Sequence, residues 1–116
     1  MRLALLIAVG AASIAACTSS TAVVAANSCG SSGASANIGA TDGLVFSPSG
    51  ATITHGQSVC WQNNGNVSHT VTSNDGTSFN ASLTPGNIFV HAFPAAGTFQ
   101  YHCTIHAGMT GTVTVN

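Results

Sequence analysis

The feature that most constrains this fold is a group of four side chains that can bind one metal ion. Cys103, His106 and Met109 are separated by two residues each, so one short loop can place all three around a single ion. His69 lies far upstream, so it can join them only if the fold brings a separate strand beside this loop. One thiolate, two imidazoles and one thioether are the ligands of a blue-copper electron-transfer site. The sequence therefore predicts one copper ion per chain, bound by these four residues.

Three further histidines could take part in other chemistry. His55 lies in a turn, and the strand parity of His91 predicts an outward side chain, so both are expected at the surface. His102 directly precedes Cys103. In multicopper oxidases and copper nitrite reductases, a histidine beside the thiolate ligand binds a second copper. The chain has no His-x-His pair and no second domain to complete such a site, so His102 is expected on the face opposite Cys103.

The N-terminus has the pattern of an export signal. Arg2 precedes an apolar run over residues 3–16, which is too short to span a bilayer and has the length of a signal-peptide core. The residues before Cys17 resemble a bacterial lipobox, which predicts a lipid-anchored protein. The alternative is an ordinary secretory signal cleaved after Ala26. Both place the domain outside the cytoplasm, in the periplasm or at the cell surface.

The chain carries almost no charge. Its only basic residue other than histidine is Arg2, which is removed with the signal, so Asp42 and Asp75 alone carry formal charge afterwards. A protein without Lys or Arg cannot neutralise phosphates, which excludes nucleic acid as a partner. The composition is 45% hydrophobic, which favours a folded domain over disorder.

Two cysteines remain once Cys17 and Cys103 are assigned. Cys29 and Cys60 would lie in an oxidising compartment, where they can form a disulfide that ties the N-terminal segment to the domain. The alternative is a small strand residue at position 60 and a free thiol at position 29. The sequence leaves both open.

Composition and periodicity predict three parts and an all-β domain. Residues 1–16 are the signal, residues 17–38 have the small polar composition of a flexible linker, and residues 39–116 form the metal-binding domain. Short alternating runs are separated by turn residues, which is typical of a β-sandwich or barrel with seven or eight strands. The predicted strands cover residues 44–46, 51–54, 58–62, 69–73, 78–83, 87–93, 97–103 and 111–115.

The chain resembles the cupredoxins over about residues 40–116. The segments that carry the resemblance are Phe46 and residues 56–63, 68–71 and 97–115, which include the ligand loop. The resemblance implies a Greek-key β-sandwich with copper near one end. The two-residue gaps on both sides of His106 are similar to the short ligand loop of the amicyanins, whereas plastocyanins have a longer gap before the methionine.

The resemblance also implies roles around the copper. The backbone amide of Thr70 is expected to donate to the Cys103 sulfur, at a position where many relatives carry Asn. Phe46, Trp61 and Phe99 are expected to keep water away from the metal.

The ligand set favours an electron carrier over an enzyme, since four ligands leave no open position for a substrate. The protein is expected to be a monomer. Redox protein partners are expected to dock where an edge of His106 reaches the surface, in an apolar patch with Ala107, Gly108, Val67 and Pro85. The competing functions are a copper chaperone or store, a small enzyme of nitrite-reductase type, and a metal-free adhesion domain. A copper donor would need a more accessible, methionine-rich site, and this chain has two methionines, one of them Met1.

Overall fold

The protein is an all-β sandwich of two sheets, as the sequence predicts. The structure, a computed structural model, describes residues 28–116; the predicted signal, Cys17 and the linker up to residue 27 lie outside this range. Among the described residues, no helix has the length and apolar character needed to cross a membrane. The strands are β1 (Ala36–Ala40), β2 (Phe46–Ser47), β3 (Gly50–Ile53), β4 (Ser58–Asn63), β5 (His69–Ser73), β6 (Asn80–Leu83), β7 (Ile88–Ala92), β8 (Gly97–His102) and β9 (Thr110–Val115).

The strand order has the crossovers of a Greek-key sandwich. One sheet has the order β2-β1-β4-β7 and the other the order β3-β9-β8-β5-β6. Strands β1 and β4 are parallel, as are β3 and β9, and the remaining pairs are antiparallel. Because the chain crosses from one sheet to the other after β2, β3, β4, β6 and β7, strands distant in sequence become neighbours.

The fold begins earlier than the boundary at residue 39 that composition indicates. Strand β1 starts at Ala36 and pairs with β4 along its whole length, from Ala36 opposite Val59 to Ala40 opposite Asn63. In the sequence, the small side chains of β1 resemble those of a linker. Strand pairing, however, is made by backbone hydrogen bonds, which do not need large side chains. Ile38 and Ala40 are buried on the inner face, and Ala36 packs against the core.

Aromatic rings fill the space between the sheets. The Trp61 ring lies 5.3 Å from the Tyr101 ring and 5.6 Å from each of Phe79 and Phe89. Aromatic contacts at these distances add packing energy beyond the burial of apolar area. Burial raises the pKa of Tyr101 to about 12. Because Tyr101 belongs to β8, its packing in this aromatic cluster fixes the end of β8, just before Cys103.

The prediction that His91 points to solvent is wrong, whereas His55 is exposed as expected. In β7, His91 pairs with Val59 of β4 and so lies on the inner face. Its ring is 4.8 Å from the Phe93 ring and 5.1 Å from the Phe79 ring. Burial lowers its pKa from the ordinary value for histidine. Alternation along the sequence gave the wrong face for His91, because β7 is an edge strand with apolar residues on both faces.

A disulfide ties the N-terminal segment to the outer face of the four-stranded sheet. Cys29 and Cys60 are bonded, and both are buried. The Cys29 N–H also donates to Oε1 of Gln62 at 2.8 Å, and the Ser35 N–H donates to the Ser58 carbonyl at 2.9 Å. Cys60 is buried on the outward face of β4 because this segment covers it.

Removing the disulfide should destabilise the domain. The bond closes a loop of 31 residues, and the chain-entropy relation gives a loss of about 3 to 4 kcal/mol in the free energy of unfolding. Urea denaturation of the double variant Cys29→Ala/Cys60→Ala against the parent, both without metal, measures this. Equal unfolding midpoints would contradict the prediction, and neither substitution touches Cys103.

Candidate metal centre

Three of the four predicted ligands lie on the connection between β8 and β9. Cys103 follows β8 directly, and its N–H donates to the Met109 carbonyl at 2.9 Å. Inside the loop, the Met109 N–H donates to the His106 carbonyl at 3.4 Å. Gly108 has a φ of 79°, a conformation that glycine adopts without strain. These contacts fold residues 103–109 into a closed loop at the end of the sheet.

His69 is brought to this loop because β5 and β8 are neighbours. Strand β5 starts at His69 and pairs antiparallel with β8, with Thr72 opposite His102. The start of β5 is thereby aligned with the end of β8. The side chain of His69 is 1% exposed, which places it inside the sandwich beside the ligand loop.

The structure brings His69, Cys103 and His106 together. One ligand atom from each lies within 4.8 Å of the others, and this is the one cluster of three or more such residues found in the range 28–116. The Cys103 sulfur is 3.5 Å from Nδ1 of His106, and the two imidazole rings are 5.0 Å apart. Met109 is buried at the other end of the same loop, so its role as the fourth ligand stays a prediction.

The chemistry of these residues fits a soft or borderline metal ion. Neither ring nitrogen of His69 has a hydrogen-bond partner, although the residue is buried. Burial and the neighbouring His106 lower the pKa of His69, against smaller opposing effects of the Thr41 carbonyl and Asp42. Cys103 is a buried thiol and the free cysteine of residues 28–116. A neutral imidazole with unpaired nitrogens beside a thiol is a donor set that copper or zinc binds.

The expected hydrogen bond to the sulfur is present. The Thr70 N–H donates to Sγ of Cys103 at 3.3 Å. The Thr70 hydroxyl also accepts the N–H of Thr104 at 2.8 Å and lies 3.1 Å from the Thr104 hydroxyl. One residue of β5 therefore holds both the sulfur and the residue after it. The Thr70 side chain can thus hold the ligand loop from β5.

Two residues that the sequence did not single out hold the segment before His69. The buried amide of Asn63 donates to the carbonyls of Val67 at 2.7 Å and Leu83 at 2.9 Å, and its Oδ1 accepts the Gly65 N–H. Asp42 accepts the backbone N–H of Val67 from the other side. A usable signal was present for Asp42, since it is one of only two acidic residues. Asn63 had no such signal, because it stands in an ordinary turn sequence.

His102 points away from the cluster, as parity predicts. Its Nδ1 lies 2.6 Å from Oδ1 of Asn74, at the outer face of the five-stranded sheet. Among the described residues it belongs to no group of three metal-binding side chains.

The expectation that Phe99 borders the metal is wrong. Its ring contacts Phe93 at 5.1 Å, and four strand positions separate it from Cys103, about 13 Å along β8. Phe46 and Trp61 are buried as expected, and both rings pack on Tyr101, two residues before the thiol.

Comparison with known proteins agrees with the fold and the donor set. The family model for copper-binding proteins of the plastocyanin/azurin family matches residues 33–116. A plastocyanin from Scenedesmus fuscus is 37% identical over 92 residues, which cover 67% of this chain and 94% of that protein. A plastocyanin from Lactuca sativa is 30% identical, over 68% of this chain and 96% of that protein.

Solved structures show the same architecture. A purple cupredoxin from Nitrosopumilus maritimus superposes with a TM-score of 0.64 at 31% identity, covering 70% of this chain and 99% of that one. A reduced amicyanin variant superposes with a TM-score of 0.65 at 22% identity, covering 73% and 84%. At that identity the amicyanin shows the fold alone.

Loss of the Thr70 hydroxyl should loosen the ligand loop. In Thr70→Val the Thr104 N–H loses its acceptor at a solvent-exposed position, which costs about 0.5 to 1.5 kcal/mol in the free energy of unfolding. The Thr70 amide still reaches Cys103. Denaturation without metal measures the loss, and Thr114→Val makes the same change on β9 of the same sheet as a control. An equal effect of the two substitutions would contradict the assignment.

Proposed function

Because this chain belongs to the plastocyanin/azurin family of copper-binding proteins, we propose that it is an electron carrier rather than an enzyme. It would carry one electron at a time between redox proteins outside the cytoplasm. The observation that carries the proposal is the convergence of His69, Cys103 and His106 within 4.8 Å. These residues would hold one copper ion, with Met109 as a weak fourth ligand.

A bound copper ion supplies a one-electron couple, and the ligands suit both of its oxidation states. The protein's part is to keep the ligands in one arrangement. Cys103 and His106 are joined by a loop with internal backbone hydrogen bonds, and His69 starts a strand that is paired on both sides. Little reorganisation of the side chains is then needed when the charge of the site changes.

The exposed side of the ligand loop is the proposed place of electron exchange. His106 is half-buried, whereas Ile105 on one side is 57% exposed and Ala107 on the other is exposed. Two other residues of the predicted patch are accessible to solvent: Pro85 is exposed and Val67 is half-buried. Partners would dock here through a surface whose nearest charged side chain is Asp42, bound to the Val67 N–H, by short-lived contacts of small area.

The proposed location rests on the N-terminal sequence. The apolar run over residues 3–16 and the lipobox-like residues before Cys17 favour an exported domain on a lipid anchor. The disulfide between Cys29 and Cys60 is consistent with an oxidising compartment. The domain would then act as a monomer in the periplasm or at the cell surface, with secretion as a soluble protein as the alternative.

The visible spectrum tests the central claim. With one equivalent of Cu(II), the protein should develop an intense blue band from thiolate-to-copper charge transfer, and the band should bleach on reduction. Cys103→Ser should abolish the band, because it removes the thiolate. Met109→Leu keeps a side chain of similar volume and should retain the band, since Met109 is proposed as the weak ligand.

A folded protein that takes up no copper would overturn the proposal. Copper bound without a strong blue band would favour a copper chaperone or store instead. Circular dichroism of the same samples shows whether each variant is folded, so failure to bind is distinguished from failure to fold.

Electron exchange should depend weakly on salt. With Asp42 and Asp75 as the only charged side chains of residues 28–116 apart from histidines, long-range electrostatics contribute little to encounter. Self-exchange between oxidised and reduced copies can be followed by NMR line broadening. From low to high ionic strength its rate should change less than about tenfold, below the range of electrostatically steered association. A steeper dependence would contradict a docking surface that carries so little charge.

A further inference from the structure

Asp42 is an acidic side chain built into the end of the sandwich that holds the metal centre. It lies in the connection between β1 and β2, directly after Thr41. Its Oδ1 accepts the backbone N–H of Asn66 at 2.8 Å and that of Val67 at 3.2 Å. Its Oδ2 lies 3.5 Å from the side-chain nitrogen Nδ2 of Asn66. One carboxylate therefore binds two consecutive N–H groups of the segment that leads into His69.

The approach between this carboxylate and the segment is close. At Gly65 a Cβ atom would overlap the Asp42 carboxylate, so the backbone lies against the acid without a side chain between them. Asn63 holds the same segment from inside, through its bonds to Gly65 and Val67. The segment before His69 is thus clamped by a buried amide on one side and a carboxylate on the other.

The charge of Asp42 has almost nothing to oppose it. No Lys or Arg occurs in residues 28–116, and the other acid, Asp75, lies beyond the far end of β5. The charge of Asp42 lies close to the metal centre, because its carboxylate binds the N–H of Val67 at 3.2 Å, only two residues before His69. A negative charge near a site stabilises whichever state of the site is more positive.

We propose that Asp42 is a positioning residue for the copper centre that also biases its redox equilibrium toward Cu(II). This inference rests on the proposed function, and it assigns two separable roles to one carboxylate. The hydrogen bonds hold the segment that delivers His69. The charge lowers the reduction potential, because the oxidised site carries one more positive charge than the reduced site.

Two substitutions separate the roles. Asp42→Asn removes the charge but keeps an oxygen that can accept the N–H groups of Asn66 and Val67. Asp42→Ala removes both. Asp75→Asn is the matched control, since Asp75 also accepts backbone N–H groups, from Thr77 at 2.8 Å and Ser78 at 2.9 Å, but at the other end of β5.

The first measurement is a potentiometric titration of the copper-loaded full chain against a ferricyanide/ferrocyanide mediator, followed by the blue band. At a fixed solution potential, Asp42→Asn should raise the ratio of reduced to oxidised protein several-fold with the band position unchanged. Asp75→Asn should leave the ratio close to that of the parent. Added salt should shrink the difference between Asp42→Asn and the parent, because the carboxylate is exposed to solvent.

The second measurement needs no copper. Hydrogen exchange of the Asn66 and Val67 amides, followed by NMR on the metal-free protein, should be accelerated in Asp42→Ala and much less in Asp42→Asn. Loss of copper to a chelator should also be faster in Asp42→Ala than in Asp42→Asn.

The outcomes are distinguishable. If the parent shows no blue band, the proposed function fails before Asp42 is tested. If the parent is blue and Asp42→Asn leaves the ratio unchanged, or changes it no more than Asp75→Asn does, the electrostatic role is overturned. Unchanged exchange in Asp42→Ala would overturn the positioning role.

Discussion

The pairing of β5 with β8 is the contact on which the metal centre depends. It aligns the start of β5 with the end of β8 and the loop that follows, so His69 meets Cys103 although 33 residues lie between them. The Thr70 amide, 3.3 Å from the sulfur, continues this pairing past the end of β8. The ligand cluster is thus an extension of the sheet, and its geometry is as rigid as the two strands that carry it.

The rest of the domain keeps these two strands in position. The aromatic core around Trp61 and Tyr101 holds the end of β8 from inside, and the disulfide closes the outer face of the opposite sheet. A domain of this size buries a smaller fraction of its surface than a larger one, so the disulfide contributes a large share of its stability, and a metal ion bound at the proposed site would add to it. Rigidity at the site and stability of the domain therefore have the same sources.

The scarcity of charge gives each remaining acid unusual weight. In most proteins an exposed carboxylate acts among many neighbours of both signs, and its effect is largely averaged out. Here Asp42 lies at the end of the sandwich that carries the cluster, whereas Asp75 caps a turn at the far end of β5. In such a chain the placement of one acid is enough to give the two ends of the sandwich different electrostatic character.

The sequence by itself determined the all-β class, the ligand candidates and the Thr70–Cys103 hydrogen bond, because these follow from spacing, alternation and family resemblance. It left the pairing of Cys29 with Cys60 open and missed β1, since small residues in a strand look like a linker. It also misplaced His91 and Phe99, because parity alone does not say which face an edge strand buries or how far along a strand a ring lies from the metal.

Only the tertiary structure decided which distant groups meet. The clamp of Asn63 and Asp42 on the segment before His69 joins three loops whose sequences show no mutual pattern. Periodicity records the local environment of each residue, whereas contacts between loops depend on how the strands cross between the sheets. The ligand candidates are therefore readable from the sequence, and the residues that hold the segment before His69 are not.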